Sequence, residues 1–195
     1  MHKQISFRQY RVIDLSIMTG LLILSQSLIS IVAATIYADQ LYVVSTVGAV
    51  TALVMMRWNG YAAIPAFLGG LLFTFLSGGT LQHYLIYSLG NLLSLLALIL
   101  FKLMGKEAIR TDGLMTMFFA FTVQILMQLG RAGVAFLFGN PAGVCLGFIT
   151  TDALSILFTV CVIWVTRRIE GLFEDQKKYL LRIQKERQTE GREQL

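Results

Sequence analysis

Between Arg57 and Lys102 the chain carries no formal charge for 44 consecutive residues. One helix crossing a bilayer core about 30 Å thick uses about 20 residues, so this stretch holds two crossings and cannot coat a soluble domain. Composition agrees, with 56% of the 195 residues hydrophobic and 14% charged, where soluble domains carry about 25% charged. The pattern predicts a multi-spanning membrane protein. It excludes a soluble enzyme, a free nucleic-acid binder and a secreted disulfide scaffold, and two prolines with 17 glycines exclude collagen or a disordered linker. Cys145 and Cys161 are too few for a disulfide framework or a metal cluster and read as small buried apolar residues. The N-terminus lacks a short apolar region ending in a small-residue cleavage site, so no cleaved signal peptide is expected.

Charges and turn residues divide the chain into six expected spans. Leu15 to Ala38 is uncharged, and Asp39 marks a turn. Gln40 to Met56 follows, closed by Arg57 and the turn pair Asn59-Gly60. The long uncharged stretch splits at Ser77-Gly78-Gly79-Thr80 and Gln82-His83, giving spans near 60–77 and 84–101. A polar loop with Lys102, Lys106, Glu107, Arg110 and Asp112 precedes a fifth span from Gly113 to Phe138, and Gly139-Asn140-Pro141 turns into a sixth ending near Thr166. The fold class is thus an all-α bundle of six transmembrane helices, the membrane domain covering residues 13–166 between a short segment (1–12) and a polar tail (167–195).

Fifteen of the sixteen Lys and Arg residues fall on one side of this layout, and only Arg131 falls on the other. The positive-inside bias therefore places both termini in the cytoplasm. In the tail, Leu172, Phe173, Leu180 and Ile183 recur near helical spacing, and Glu174 precedes Lys178 by four residues. This predicts a helix leaving the membrane, either lying on anionic headgroups or docking a cytoplasmic partner. No internal repeat suggests a transporter of inverted halves.

A rise of 1.5 Å per residue converts sequence position into depth. Above the cytoplasmic boundary, Gln124, Gln128 and Arg131 lie at roughly 16, 22 and 27 Å on one face of the fifth helix. Asn91, Tyr87 and His83 lie at roughly 16, 22 and 28 Å on the fourth, Asp152 near 21 Å on the sixth and Gln26 near 18 Å on the first. Polar side chains gather in the outer half, while the inner half is nearly all apolar. An ionised Asp or Arg at such depth costs roughly 2.5–3.5 kcal/mol and normally finds a partner inside the bundle. Two readings follow. Arg131 and Asp152 form a buried pair that fixes helix register, or Arg131 meets an anionic group in a pocket open to the outside, with Gln124, Gln128, Asn91, Tyr87 and His83 satisfying the rest.

Ser16 and Gly20 form a small-xxx-small pair in the inner half of the first helix, suited to close approach of a helix from this bundle or from another subunit, and Gly69-Gly70 reads similarly. The chain has no P-loop, no H-E-x-x-H, no G-x-S-x-G and no carboxylate pair on one intramembrane face, so no enzyme and no cofactor is expected. Met1-His2 sits among Lys3, Arg8 and Arg11 on the cytoplasmic side, so no metal site is expected there.

Six spans with both ends inside, the basic entry Arg11-Val-Ile-Asp-Leu-Ser-Ile-Met-Thr-Gly20 and the glycine-bearing Ala63-Ile-Pro-Ala-Phe-Leu-Gly-Gly70 together resemble the substrate-binding S components of energy-coupling factor (ECF) transporters. The likeness covers residues 8–166. In that family an alanine-xxx-alanine motif on the first helix contacts a shared membrane scaffold; Ser16 and Gly20 stand in its place. The resemblance implies a bacterial cell-membrane protein that captures a vitamin, vitamin precursor or similar small molecule from outside. It also implies docking on an energy-coupling transmembrane scaffold subunit driven by two cytoplasmic ATPases. A non-transport scaffold similar to the MreD proteins of the cell-elongation machinery is the alternative, being equally compact, hydrophobic and short of catalytic groups.

Overall fold

The computed structural model describes residues 6–36 and 44–193, which are helical with no strand among them. Met1-His2, the Asp39 turn and the start of the run at Gln40 lie outside the described residues. Five stretches are long and apolar enough to cross a membrane: Phe7–Ala33, Val47–Leu76, Leu81–Leu103, Gly113–Leu137 and Ala142–Thr166. The chain is a membrane protein.

Helix α1 (Phe7–Ile36) begins two turns before the expected Leu15. Its buried positions Asp14, Met18, Leu22 and Gln26 recur every fourth residue, a single narrow stripe, while Ile13, Ile17, Leu21, Leu24 and Leu28 face outward. Helix α2 (Val47–Trp58) is the opposite case, with every residue buried. The turn expected at Asn59-Gly60 is present: Asn59 takes φ +53, in the left-handed region, and a 3-10 turn over Asn59–Ala62 leads into α3 (Ala63–Leu76). Pro65 is tolerated in the first turn of α3 because its missing N–H has no partner there in any helix.

A Cβ on Gly69 would lie 2.5 Å from the Val47 side chain, although the two residues stand eleven positions on either side of Trp58. Helices α2 and α3 therefore run antiparallel. Twelve residues rise only about 18 Å, so α2 fills the centre of the bundle for about half its height. Residues 44–46, expected inside a longer span, are a non-helical approach at mid-depth.

Helix α4 (Leu81–Asn91) continues through a 3-10 stretch, Leu92–Leu98, into α5 (Ile99–Leu103). Where one regular helix was expected, Ser94 Oγ donates to the Asn91 carbonyl at 2.6 Å and competes with the helical ladder. Gly105 at φ +82 reverses the chain into α6 (Lys106–Thr111). Helix α7 (Gly113–Leu137) is N-capped by Asp112, which accepts from Leu114 N at 2.8 Å. It packs against α2, α4, α6, α8 and α9 and is the hub of the fold. The expected sixth helix is two, α8 (Ala142–Thr150) and α9 (Ala153–Thr166), broken where Asp152 turns toward α7. Cys145 is buried as expected, but Cys161 is exposed on the outer face of α9.

Two expectations about the basic end are corrected. The tail does not leave as one helix: Arg167 to Asp175 is not α-helical, Gly171 takes φ +73, and only α10 (Gln176–Glu193) is regular. Phe173 is buried beneath the bundle with its ring 6.3 Å from Phe119, and Glu174 is bound to Arg110 and Arg182 rather than Lys178. Nor is that end of the bundle wholly apolar. Arg57 Nε donates to Asp14 Oδ2 at 2.9 Å, and its NH1 donates to the Gly171 and Leu172 carbonyls at 2.6 and 2.9 Å. Trp58 Nε1 also donates to Asp14, and Tyr10 OH donates to Gln176 Oε1 at 3.0 Å. Lys106 Nζ donates to the Met56 carbonyl and to Asp175, both at 2.7 Å. Burial holds the Lys106 ammonium below its ordinary pKa against the opposing pull of Asp175. Burial also pushes the Asp175 carboxyl up, but the Lys106 hydrogen bond and charge, together with the Lys178 and Lys177 backbone N–H groups, outweigh it and leave the group below the usual range.

Candidate functional site

The mid-depth cluster is built where α4 and α7 touch backbone to backbone. A Cβ on Gly130 would stand 2.0 Å from the Gly90 carbonyl oxygen, and one on Gly90 would stand 2.6 Å from Arg131 Cα. Only glycine at both positions permits this approach. The crossing sets Asn91 and Arg131, the next residue on each helix, side by side: Arg131 Nε donates to Asn91 Oδ1 at 2.7 Å, and Asn91 Nδ2 donates to the Ala66 carbonyl of α3 at 3.0 Å.

Arg131 and Asp152 pair. NH1 donates to Oδ2 at 2.6 Å, with the residues 2% and 3% exposed. Neither side chain faces lipid. The same carboxylate accepts from Gln124 Nε2 at 3.2 Å and from Ser155 Oγ, while Gln128 Nε2 donates to the Asp152 carbonyl at 2.9 Å. Gln124 Oε1 accepts from Thr159 Oγ1 at 3.3 Å and lies over Gly48 near the start of α2, where a Cβ would meet it at 1.8 Å. The guanidinium of Arg131 stands over the Tyr87 ring, 4.9 Å from its centroid, and that ring packs on Phe73 and Phe148. Six of the seven residues expected at the site are thus brought together. His83 is not: it is exposed at the start of α4, where its Nδ1 lies 2.8 Å from Thr80 Oγ1 in a capping box.

The cluster extends further than the sequence indicated. Ser45 N donates to Ser155 Oγ at 2.9 Å, and Gln26 Oε1 accepts from Ser45 Oγ, Thr46 N and Thr46 Oγ1 at 3.1, 2.9 and 3.2 Å. Through these bonds α1 and the start of α2 join the three later helices. Ser155 stands three residues after Asp152, a helical spacing that could have revealed it. Ser45 and Thr46 carry no such signal, because their depth depends on where α2 begins.

On the outer surface of α1, Ser16 is exposed and a Cβ on Gly20 would meet nothing within 4 Å. Among the described residues, nothing packs on this small-residue pair from within its own bundle. Gly69 and Gly70 do pack within it, against Val47 and the Ser88 backbone. No protein family, curated protein or solved structure matches the chain.

Proposed function

We propose that this chain is the substrate-capture subunit of an ATP-driven ECF-type importer of the bacterial cell membrane, crossing it six times with both termini inside. The observation that carries the reading is a buried polar cluster joining α1, the start of α2, α4, α7 and α9 at the middle of the bundle, above a central helix that stops at half height. Polar groups at that depth are costly, and function is the default reason for keeping them. The antiparallel α2–α3 hairpin supports a six-crossing path, and the basic residues at one end support the orientation. A vitamin, vitamin precursor or similar small molecule enters from the outer end and meets Arg131, Gln128, Gln124, Asp152, Asn91 and Tyr87. The open face at Ser16 and Gly20 receives the transmembrane scaffold subunit, which two cytoplasmic ATPases drive. Copurification from the native membrane tests this: wild type brings down a scaffold and two ATPases, and Ser16→Trp or Gly20→Trp loses them while the fold survives. A wild-type chain that never associates with ATPases refutes it.

One observation favours the second reading, a non-transport scaffold similar to MreD. The Asp152 carboxylate accepts from three side chains of its own protein, as a purely structural pair does. Under that reading no small molecule stabilises the protein, and Ser16→Trp disrupts assembly with other membrane proteins instead.

A further inference from the structure

The cluster carries one cation, Arg131, and one carboxylate, Asp152, 2.6 Å apart. The pair is electrically neutral: Arg131 is held through NH1 by Asp152 and through Nε by Asn91, and the carboxylate accepts from Arg131, Gln124 and Ser155. An anionic ligand that drew Arg131 away from Asp152 would leave a carboxylate buried without its counter-charge, a strongly unfavourable exchange. The expectation that Arg131 meets an anionic group is therefore not what this arrangement favours.

One atom of the cluster is left over. Gln128 is fully buried, and no hydrogen-bond donor reaches its Oε1 among the described residues. The orientation of the amide is fixed by chemistry, because its other end lies 2.9 Å from the Asp152 backbone carbonyl, which can only accept. The vacant end is therefore the oxygen. Gln128 sits one helical turn beyond Gln124, whose own oxygen rests on Gly48 at the start of α2, so the orphan acceptor belongs to the level where the central helix ends. A buried acceptor without a donor is costly and calls for an explanation.

Resting on the capture reading above, we infer that the site selects an uncharged small molecule that donates an N–H or O–H group to Gln128 Oε1, with the Arg131–Asp152 pair kept intact as a neutral wall. An anion meets the penalty of breaking that pair, and an uncharged donor does not. The amide oxygen accepts but cannot neutralise, so it rewards a donor without demanding a charge. A ligand lacking the donor leaves the oxygen unpaired and is rejected.

The test is equilibrium dialysis of the purified chain in lipid nanodiscs against an aqueous small-molecule extract of bacterial cells. The extract is supplemented with equimolar riboflavin and nicotinamide as uncharged donors, and with nicotinate, pantothenate and biotin as anions. Bound molecules are identified by mass spectrometry. The inference expects enrichment of an uncharged donor, and at least tenfold loss of that enrichment in Gln128→Met, which keeps length and removes the acceptor together with the Nε2 donor to the Asp152 carbonyl. Enrichment of an anion overturns the inference and leaves the capture reading standing, and this arm needs only the wild-type protein, whatever the fate of the variant. An uncharged ligand that Gln128→Met binds equally well also overturns it. Enrichment of nothing overturns the capture reading, and the inference falls with it.

Discussion

The bundle holds two buried polar networks, and they are built to different rules. At mid-depth, Arg131 and Asp152 are enclosed by Gln124, Gln128, Asn91 and Ser155, all far from water, with one acceptor left open. At the basic end, Arg57 and Asp14 are also buried, but Arg57 spends its remaining donors on backbone carbonyls of Gly171 and Leu172. The first network joins helices to one another. The second joins the bundle to the tail, with nearby ion pairs at Lys106–Asp175 and Arg110–Glu174 that are partly open to solvent. Between them runs α2, buried along its whole length. The difference teaches that burial of charge serves two ends in one small protein: a neutral cluster in the apolar interior, and a clasp that keeps an otherwise polar tail folded against the base.

Substitutions should separate the two. Arg131→Ala leaves Asp152 buried without its counter-charge and is expected to cost about 3–5 kcal/mol, seen as a collapse of the thermal midpoint in detergent. Replacing both partners by Met and Leu should recover much of that loss, whereas an equal loss in the double variant would mean the pair is not the unit. Gly130→Ala forces α4 from α7 at the Gly90 carbonyl and should cost about 1–3 kcal/mol, with chemical shifts or cross-linking reporting separation of Asn91 from Arg131. Arg57→Ala likewise strips buried Asp14 of its counter-charge, but its distinguishing effect is at the tail: trypsin cleaves at Arg167 and Arg168 much faster, and an unchanged cleavage rate would break the comparison. Acid should open the same clasp. Because the Asp175 pKa is held below its ordinary value in the fold, its contribution is present above the unfolded value of about 3.9 and is lost as pH falls through the lower, folded one. Protease sensitivity of residues 167–175 should therefore stay flat around neutrality and rise only in strong acid. The smallest effect on stability belongs to Gly20→Leu, less than about 0.5 kcal/mol, because nothing lies near that position.

Much of this was legible in the sequence because depth in a helix is a matter of counting. Counting from charged boundaries placed Asn91, Gln124, Gln128, Arg131 and Asp152 between roughly 16 and 27 Å, all in the outer half, and the structure joins them by hydrogen bonds. It set Asn91 about 11 Å below Arg131, whereas the Gly90–Gly130 crossing brings the two side by side. Counting says nothing of direction around the axis or of what waits at a helix end. His83 has the height of a site residue but caps its own helix through Thr80. Arg57 reads as a boundary marker, since its carbonyl partners lie 114 and 115 residues away. The shortness of α2, which brings Ser45 and Thr46 to Gln26, leaves no local trace.

The most direct measurement is the thermal midpoint of the purified chain across a panel of B vitamins and related metabolites, run beside Gln128→Met. Tight binding to the folded state must stabilise it. At least one compound is expected to raise the wild-type midpoint by several degrees, and that ligand-induced rise, measured from the variant's own unliganded midpoint, disappears in the variant. A panel that leaves the wild-type midpoint unmoved throughout would contradict the account, and the mid-depth cluster would then be a structural lock alone.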